Sequence, residues 1–216
     1  MSKSGARERR LRASAGRAVS VERVRGAYGR RAGEYEAAVG RIEHVEEADL
    51  ALVARWASGI DGPILDVGCG PGQWTDHLRL LGADAEGIDP TTEFIELARE
   101  TYPESRYRIA QAEALGVADG TLGGVLAWYS LIHTAPDRIG AALTEFARCL
   151  RPGGGLLLGF FAGERLASFD HAITTAHAWP IALLAAEVEA AGFSVVHTES
   201  REIRPGRTHG ALLATR

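Results

Sequence analysis

The chain has 216 residues, 46% hydrophobic and 24% charged, with a formal net charge of −4. The charge is split: residues 1–31 hold ten Lys or Arg against two acids, for +8, and residues 32–216 hold fourteen basic and twenty-six acidic residues, for −12. No apolar run approaches the roughly 20 residues that cross a bilayer, and two cysteines, Cys69 and Cys149, make neither a disulfide framework nor a four-ligand zinc site.

The expectation is a cytoplasmic protein with one folded domain over residues 19–216. Residues 1–18 carry six basic residues and one acid. They read as a disordered basic tail, since apolar residues are too sparse to fold them. An Arg-rich, acid-poor N-terminus is also the composition of a mitochondrial transit peptide, whereas an apolar secretory core is missing from it.

In chain order, Val21, Val24, Ala27, Tyr28 and Tyr35 fall near helical spacing and predict a helix over 19–39. A second helix fits 44–58, with Leu50, Leu52, Val53 and Trp56 as its apolar side, ended by Gly59 and the Asp61-Gly62-Pro63 turn. Strands are expected at 64–67, 85–88, 106–110, 124–129 and 156–161, alternating with helices at 74–81, 92–101 and 138–150. A helix over 181–191 and strands at 193–198 and 210–215 close the chain. Such alternation predicts an α/β, doubly wound, Rossmann-like parallel sheet. The last two strands lack an ordinary helix between them, so they should pair antiparallel at an edge.

The most informative stretch is Ile64-Leu65-Asp66-Val67-Gly68-Cys69-Gly70-Pro71-Gly72. A strand ends in an acid, and a glycine turn opens a helix whose N-terminus points at whatever the turn cradles. Nineteen residues after Gly70 the next strand ends in Asp89, placed to accept hydrogen bonds from both hydroxyls of a ribose. A dinucleotide fingerprint would need a third glycine where Gln73 stands. The pattern therefore favours a nucleoside ligand without a pyrophosphate. A turn that only packs helix on strand is the plainer alternative.

These residues carry a resemblance. Ile64 to Leu78, Gly87-Ile88-Asp89-Pro90, Ala110 to Leu115, Trp128 to His133 and Leu150 to Gly155 resemble successive motifs of the small bacterial class I S-adenosylmethionine-dependent methyltransferases. The likeness runs from about Val24 to the C-terminus. It implies a seven-stranded sheet of order 3-2-1-4-5-7-6 with the last strand antiparallel, and S-adenosylmethionine as cofactor with S-adenosylhomocysteine as product. By the same likeness, Gly68 and Gly70 would lie under the methionine and ribose, and Asp66 would sit near the amino group. Asp89 would bind the ribose, and Pro90, Gln111, Ala112 and Glu113 would border the adenine. The family usually has Asp where Gln111 stands, although a Gln carbonyl can also accept the adenine amino group. Trp128 and Tyr129 would face the sulfonium, Cys69 and Trp74 complete the cofactor set, and Tyr28 on an N-terminal helical cap would close the pocket or pack as a core aromatic.

Methyl transfer from a sulfonium needs alignment above all, and a base only where the acceptor holds its proton tightly. His133, past the fourth strand, is the candidate base. It equally fits a residue that packs the turn before Pro136 or lines the pocket without chemistry. The stretch 167–180 reads as a lid, with His171, His177 and Trp179 as candidate substrate contacts. His44, His77 and His197 read as surface or packing residues. The histidines and cysteines show no ligand spacing, so no metal is expected. The acceptor is expected to be a small molecule; a nucleic acid is disfavoured by the acidic body. The alternatives are a non-catalytic S-adenosylmethionine-binding protein and a nucleic-acid methyltransferase docking through the basic arm. Neither the acceptor atom nor the oligomeric state has a signature in the sequence.

Overall fold

The computed structural model describes residues 42–171 and 175–216. The basic segment 1–18, the helix expected over 19–39, and with it Tyr28 and Tyr35, lie outside the described residues.

A 3-10 turn (Ile42–His44) leads into α1 (Glu47–Ser58). Then come β1 (Ile64–Val67), α2 (Gln73–Leu80), β2 (Ala85–Asp89), α3 (Thr92–Thr101) and β3 (Arg106–Ile109). They are followed by β4 (Leu122–Trp128), α4 (Ile139–Cys149), β5 (Leu150–Ala162), β6 (Ala167–Asp170), β7 (Thr175–Trp179), α5 (Ile181–Ala190), β8 (Ser194–Arg204) and β9 (Arg207–Thr215).

Parallel pairing runs β3-β2-β1-β4-β5, and β9 then pairs antiparallel with β5, with β8 outside it. Strands β8 and β9 are the sixth and seventh strands of the expected order, and β9 is the antiparallel one. Several details differ from the sequence reading, among them longer final strands, β8 to Arg204 and β9 from Arg207. The described parts of the expected lid, 167–170 and 175–179, are strands: β6 and β7 pair antiparallel, and β7 adds in parallel to the end of β5 at Phe161 and Ala162. This is possible because β4 stops pairing with β5 at Gly159. The fifth strand begins at Leu150, since the Arg151-Pro152-Gly153-Gly154 stretch is absorbed as a register shift opposite Leu122 and Gly124. Helix α1 starts at Glu47, not at His44.

Period-two alternation decides which side chain enters which layer. Leu65, Val67, Val125, Leu156, Leu158 and Leu212 face α4 and α5 and join Leu143, Phe146, Leu184 and Val188 in the larger core. Ile64, Leu126, Leu157 and Ala211 point the other way, onto Leu52, Val53, Trp56, Trp74 and Leu78 of α1 and α2. Strands buried on both faces read as unbroken apolar runs, as residues 156–161 of β5 do. Gly124 and Gly155 make room for the Trp56 indole, whose atoms would lie 3.1 and 3.0 Å from a Cβ at those positions.

Phe146 is the largest side chain with no solvent exposure among the described residues. Phe146→Ala is expected to cost about 3–5 kcal/mol, seen as a lower denaturation midpoint at an unchanged m-value.

Candidate functional site

The carboxyl ends of β1, β2 and β4 converge on a cleft, as expected for a ligand site in an open parallel sheet. Its larger lobe is a cavity of about 500 Å³ bordered by Asp66, Gly68, Cys69, Gly70, Trp74, Asp89, Pro90, Trp128, Tyr129 and His133. A smaller lobe of about 200 Å³ is lined by Pro90, Gln111, Ala112, Glu113 and His133. Gly68, Pro90, Ser130 and His133 border both, so the two lobes are one continuous cleft.

The glycine turn is tied to β2: Gly68 and Cys69 donate from their backbone N–H groups to the Ile88 carbonyl at 2.7 and 2.9 Å. Gly68 has φ 71°, and a Cβ there would come within 2.3 Å of the Ser130 Cβ. Gly70 has φ 54°, and a Cβ there would meet nothing within 4 Å. One glycine is thus needed for close packing, while the other borders open space where a ligand can approach the backbone.

Asp66 and Asp89 are both buried. Asp66 accepts from the Thr75 hydroxyl at 2.6 Å. Asp89 accepts from Gly70 N–H at 3.1 Å with one oxygen and from Thr91 N–H at 2.8 Å with the other. A carboxylate offers about four lone-pair sites, so Asp89 still has capacity for a ligand. Burial raises the Asp66 pKa to about 7; the Thr75 hydrogen bond opposes the rise and the Asp89 charge adds to it. Burial likewise raises Asp89 to about 6, against its hydrogen bonds from Thr91 and Gly70. Among the described residues no basic side chain pairs with either acid. Such a pair suits a ligand bringing a cation and hydroxyl donors.

Where β4 ends, Tyr129 has φ 56°, the one positive value outside glycine among the described residues. Strain of this kind concentrates at functional sites. The Tyr129 ring lies 4.7 Å from that of His209 and 5.2 Å from that of Phe161, and Trp128 meets it edge-on at 5.5 Å. His133 donates from Nδ1 to the Thr175 carbonyl at 2.8 Å, because a carbonyl can only accept. Its Nε2 is therefore the basic nitrogen of the neutral ring. Burial lowers its pKa, the Thr175 bond opposes that, and His177 adds to the lowering.

Residues 64–154 match the family described as "Methyltransferase domain". The chain is 30% identical over 154 residues to a malonyl-[acyl-carrier protein] O-methyltransferase of Pseudescherichia vulneris, covering 71% of this chain and 59% of that protein. It is 31% identical over 152 residues to the protein of the same name from Enterobacter lignolyticus, covering 68% and 57%. The chain thus spans less than two thirds of the length of these relatives. Among solved structures, the 1,6-didemethyltoxoflavin-N1-methyltransferase of Burkholderia thailandensis superimposes with a TM-score of 0.72 at 21% identity, over 90% of this chain and 88% of that one. The magnesium protoporphyrin IX methyltransferase of Synechocystis PCC 6803 also gives 0.72, at 18% identity, over 91% and 99%. Residues 64–154 thus match a methyltransferase domain, and the fold is the Rossmann-like methyltransferase fold.

The described residues of the expected cofactor set all border the cleft, Gln111 as an exposed side chain at the smaller lobe. The expected acceptor contacts divide. His171 borders the larger lobe. Trp179 does not: it is 3% exposed and sits in the larger core beside Leu184 and Val188. His177 faces a separate small cavity with Trp179 on β7, and its backbone N–H donates to the Ile132 carbonyl. The cleft also has walls that the sequence did not announce. His44 and Asp49 enter from the first described segments, Phe161 from β5, and Ile203, Arg207 and His209 from the β8–β9 pair. No described helix is long and apolar enough to cross a membrane.

Proposed function

We propose that this protein transfers a methyl group from S-adenosylmethionine to a small-molecule acceptor bound in the larger lobe. The observation that carries the reading is the buried Asp66–Asp89 pair flanking the open side of Gly70. It suits a ligand with an amino group and two ribose hydroxyls, and the continuous smaller lobe along Pro90 and Gln111–Glu113 suits a planar base. When bound, the cofactor supplies a sulfonium methyl open to in-line displacement. The chain's part is to hold the acceptor on that axis and exclude water. Trp128, Tyr129 and Phe161 form an aromatic wall fitted to both tasks.

His133 takes the acceptor's proton at Nε2. Burial keeps its ring neutral at pH 7, and the Thr175 carbonyl fixes the tautomer. His133→Gln is expected to lower kcat by about 10²-fold or more while leaving S-adenosylhomocysteine affinity within about twofold. An unchanged kcat would remove the base and leave His133 as a pocket-lining residue.

A further inference from the structure

The Asp66 carboxylate is held from behind by a residue outside the cleft. Thr75 lies in the first turn of α2 and is fully buried. It borders neither lobe, whereas Asp66 borders the larger one. A threonine within a helix ordinarily turns its hydroxyl back to a carbonyl of the preceding turn. Here the hydroxyl crosses to β1 and donates to one oxygen of Asp66 at 2.6 Å. The carbonyl three residues back, that of Gly72, is taken instead by the Asp76 N–H at 3.0 Å and by the Tyr107 hydroxyl at 3.2 Å.

Two features fix that geometry. The cap position of α2 is Gly72, which has no side chain to satisfy the first N–H groups of the helix. Asp66 takes that part from the neighbouring strand. The Thr75 backbone N–H acts on it together with the hydroxyl, and both hold the Asp66 pKa down against burial. The hydroxyl also has a built seat. Gly87, the register partner of Asp66 on β2, leaves the space for it. A Cβ at Gly87 would come within 2.5 Å of the Thr75 Oγ1 and 2.9 Å of the Cys69 Sγ. Helix, strand and hydroxyl thus set the carboxylate in one orientation.

We propose that Thr75 is a positioning residue for the methyl donor: it fixes the Asp66 carboxylate at the face of the cleft that receives the donor's amino group. This rests on the methyltransferase reading above and adds to it a residue that acts only through Asp66. Its contribution is selective. A hydrogen bond to a charged group is worth more than one between neutral partners, and its loss is felt by a ligand that uses that charge.

The test compares S-adenosylhomocysteine with 5′-methylthioadenosine, which keeps the adenine, ribose and thioether and has no amino acid portion. Both are titrated calorimetrically into the full chain at pH 7.5. Thr75→Val keeps the shape of the side chain and removes the hydroxyl. It is expected to weaken S-adenosylhomocysteine at least about fivefold and to leave methylthioadenosine within about twofold, which also reports that the variant folds. Thr75→Ser restores the donor and should return S-adenosylhomocysteine to within about twofold of native. In an Asp66→Asn background, Thr75→Val should add less than about twofold. Native S-adenosylhomocysteine affinity in Thr75→Val, an equal loss for both nucleosides, or the full loss repeated in the Asp66→Asn background would overturn the proposal. Failure of the native chain to bind S-adenosylhomocysteine would overturn the methyltransferase reading itself.

Discussion

Asp89→Ala should weaken S-adenosylhomocysteine binding by at least about 10²-fold. Two charge-assisted hydrogen bonds to ribose hydroxyls, at about 1.5–3 kcal/mol each, account for a loss of this size. The substitution has a second effect. Asp89 also accepts from Gly70 and Thr91, so its removal frees the glycine turn on one side and the start of α3 on the other. Asp89→Asn separates the two effects. Its amide keeps one acceptor oxygen but turns an NH2 toward one of the two backbone donors, so it should lose less than alanine loses. The fold should survive both changes, since the cores of β1, β4, β5 and β9 lie beneath the site. Isothermal titration beside a far-UV spectrum checks this. Binding by Asp89→Ala within threefold of native would show that the carboxylate does not hold the nucleoside.

The second large effect is a dependence on pH. Asp66 and Asp89 have folded pKa values raised from 3.8 to about 7 and about 6, first by burial. Between pH 4 and 7 the folded chain therefore holds protons that the unfolded chain has released, and stability falls as pH rises through that window. The two groups together contribute a few kcal/mol that is present at pH 4 and lost by about pH 8. Glu145 runs the other way. Its pKa is lowered, chiefly by the Arg148 hydrogen bond, so its stabilisation is lost only in more acid solution. A ligand that brings an amino group and hydroxyl donors selects the ionised acids. S-adenosylhomocysteine binding should then strengthen by about tenfold or more from pH 5.5 to 8. Denaturant midpoints with and without ligand across pH 5–8 read both effects. The free chain should lose stability toward pH 8 while the ligand's stabilising increment grows. A flat profile in both would show that the acids are ionised throughout.

What the sequence made legible was local. Strand, glycines, helix and a second acid nineteen positions on form one βαβ unit, so a short spacing rule locates Asp66, Gly68, Gly70 and Asp89 together. The far wall of the cleft obeys no such rule. Arg207 and His209 stand more than 100 residues beyond the glycine turn, on a strand that returns antiparallel beside β5. Their only local mark is alternation along Arg207–Thr215, which puts His209 and Ala211 on one face. Trp179 looked like a loop aromatic near the site because 167–180 reads as a long connection between the fifth strand and the next helix. Its burial comes from β7 joining the end of β5, a pairing allowed only because β4 ends earlier. Helix α1 was legible from its apolar stripe, but the reach of His44 and Asp49 to the cleft depends on how that helix is held, including the Asp49–Arg201 ion pair across 152 residues.

On the proposed function, the cleft at Gly70 and Asp89 binds the methyl donor. The most direct measurement is calorimetric titration of the full chain with S-adenosylhomocysteine at pH 8. The predicted result is saturable binding at one site per chain, lost in Asp89→Ala. No heat of binding in the intact chain, or binding indifferent to Asp89, would contradict it.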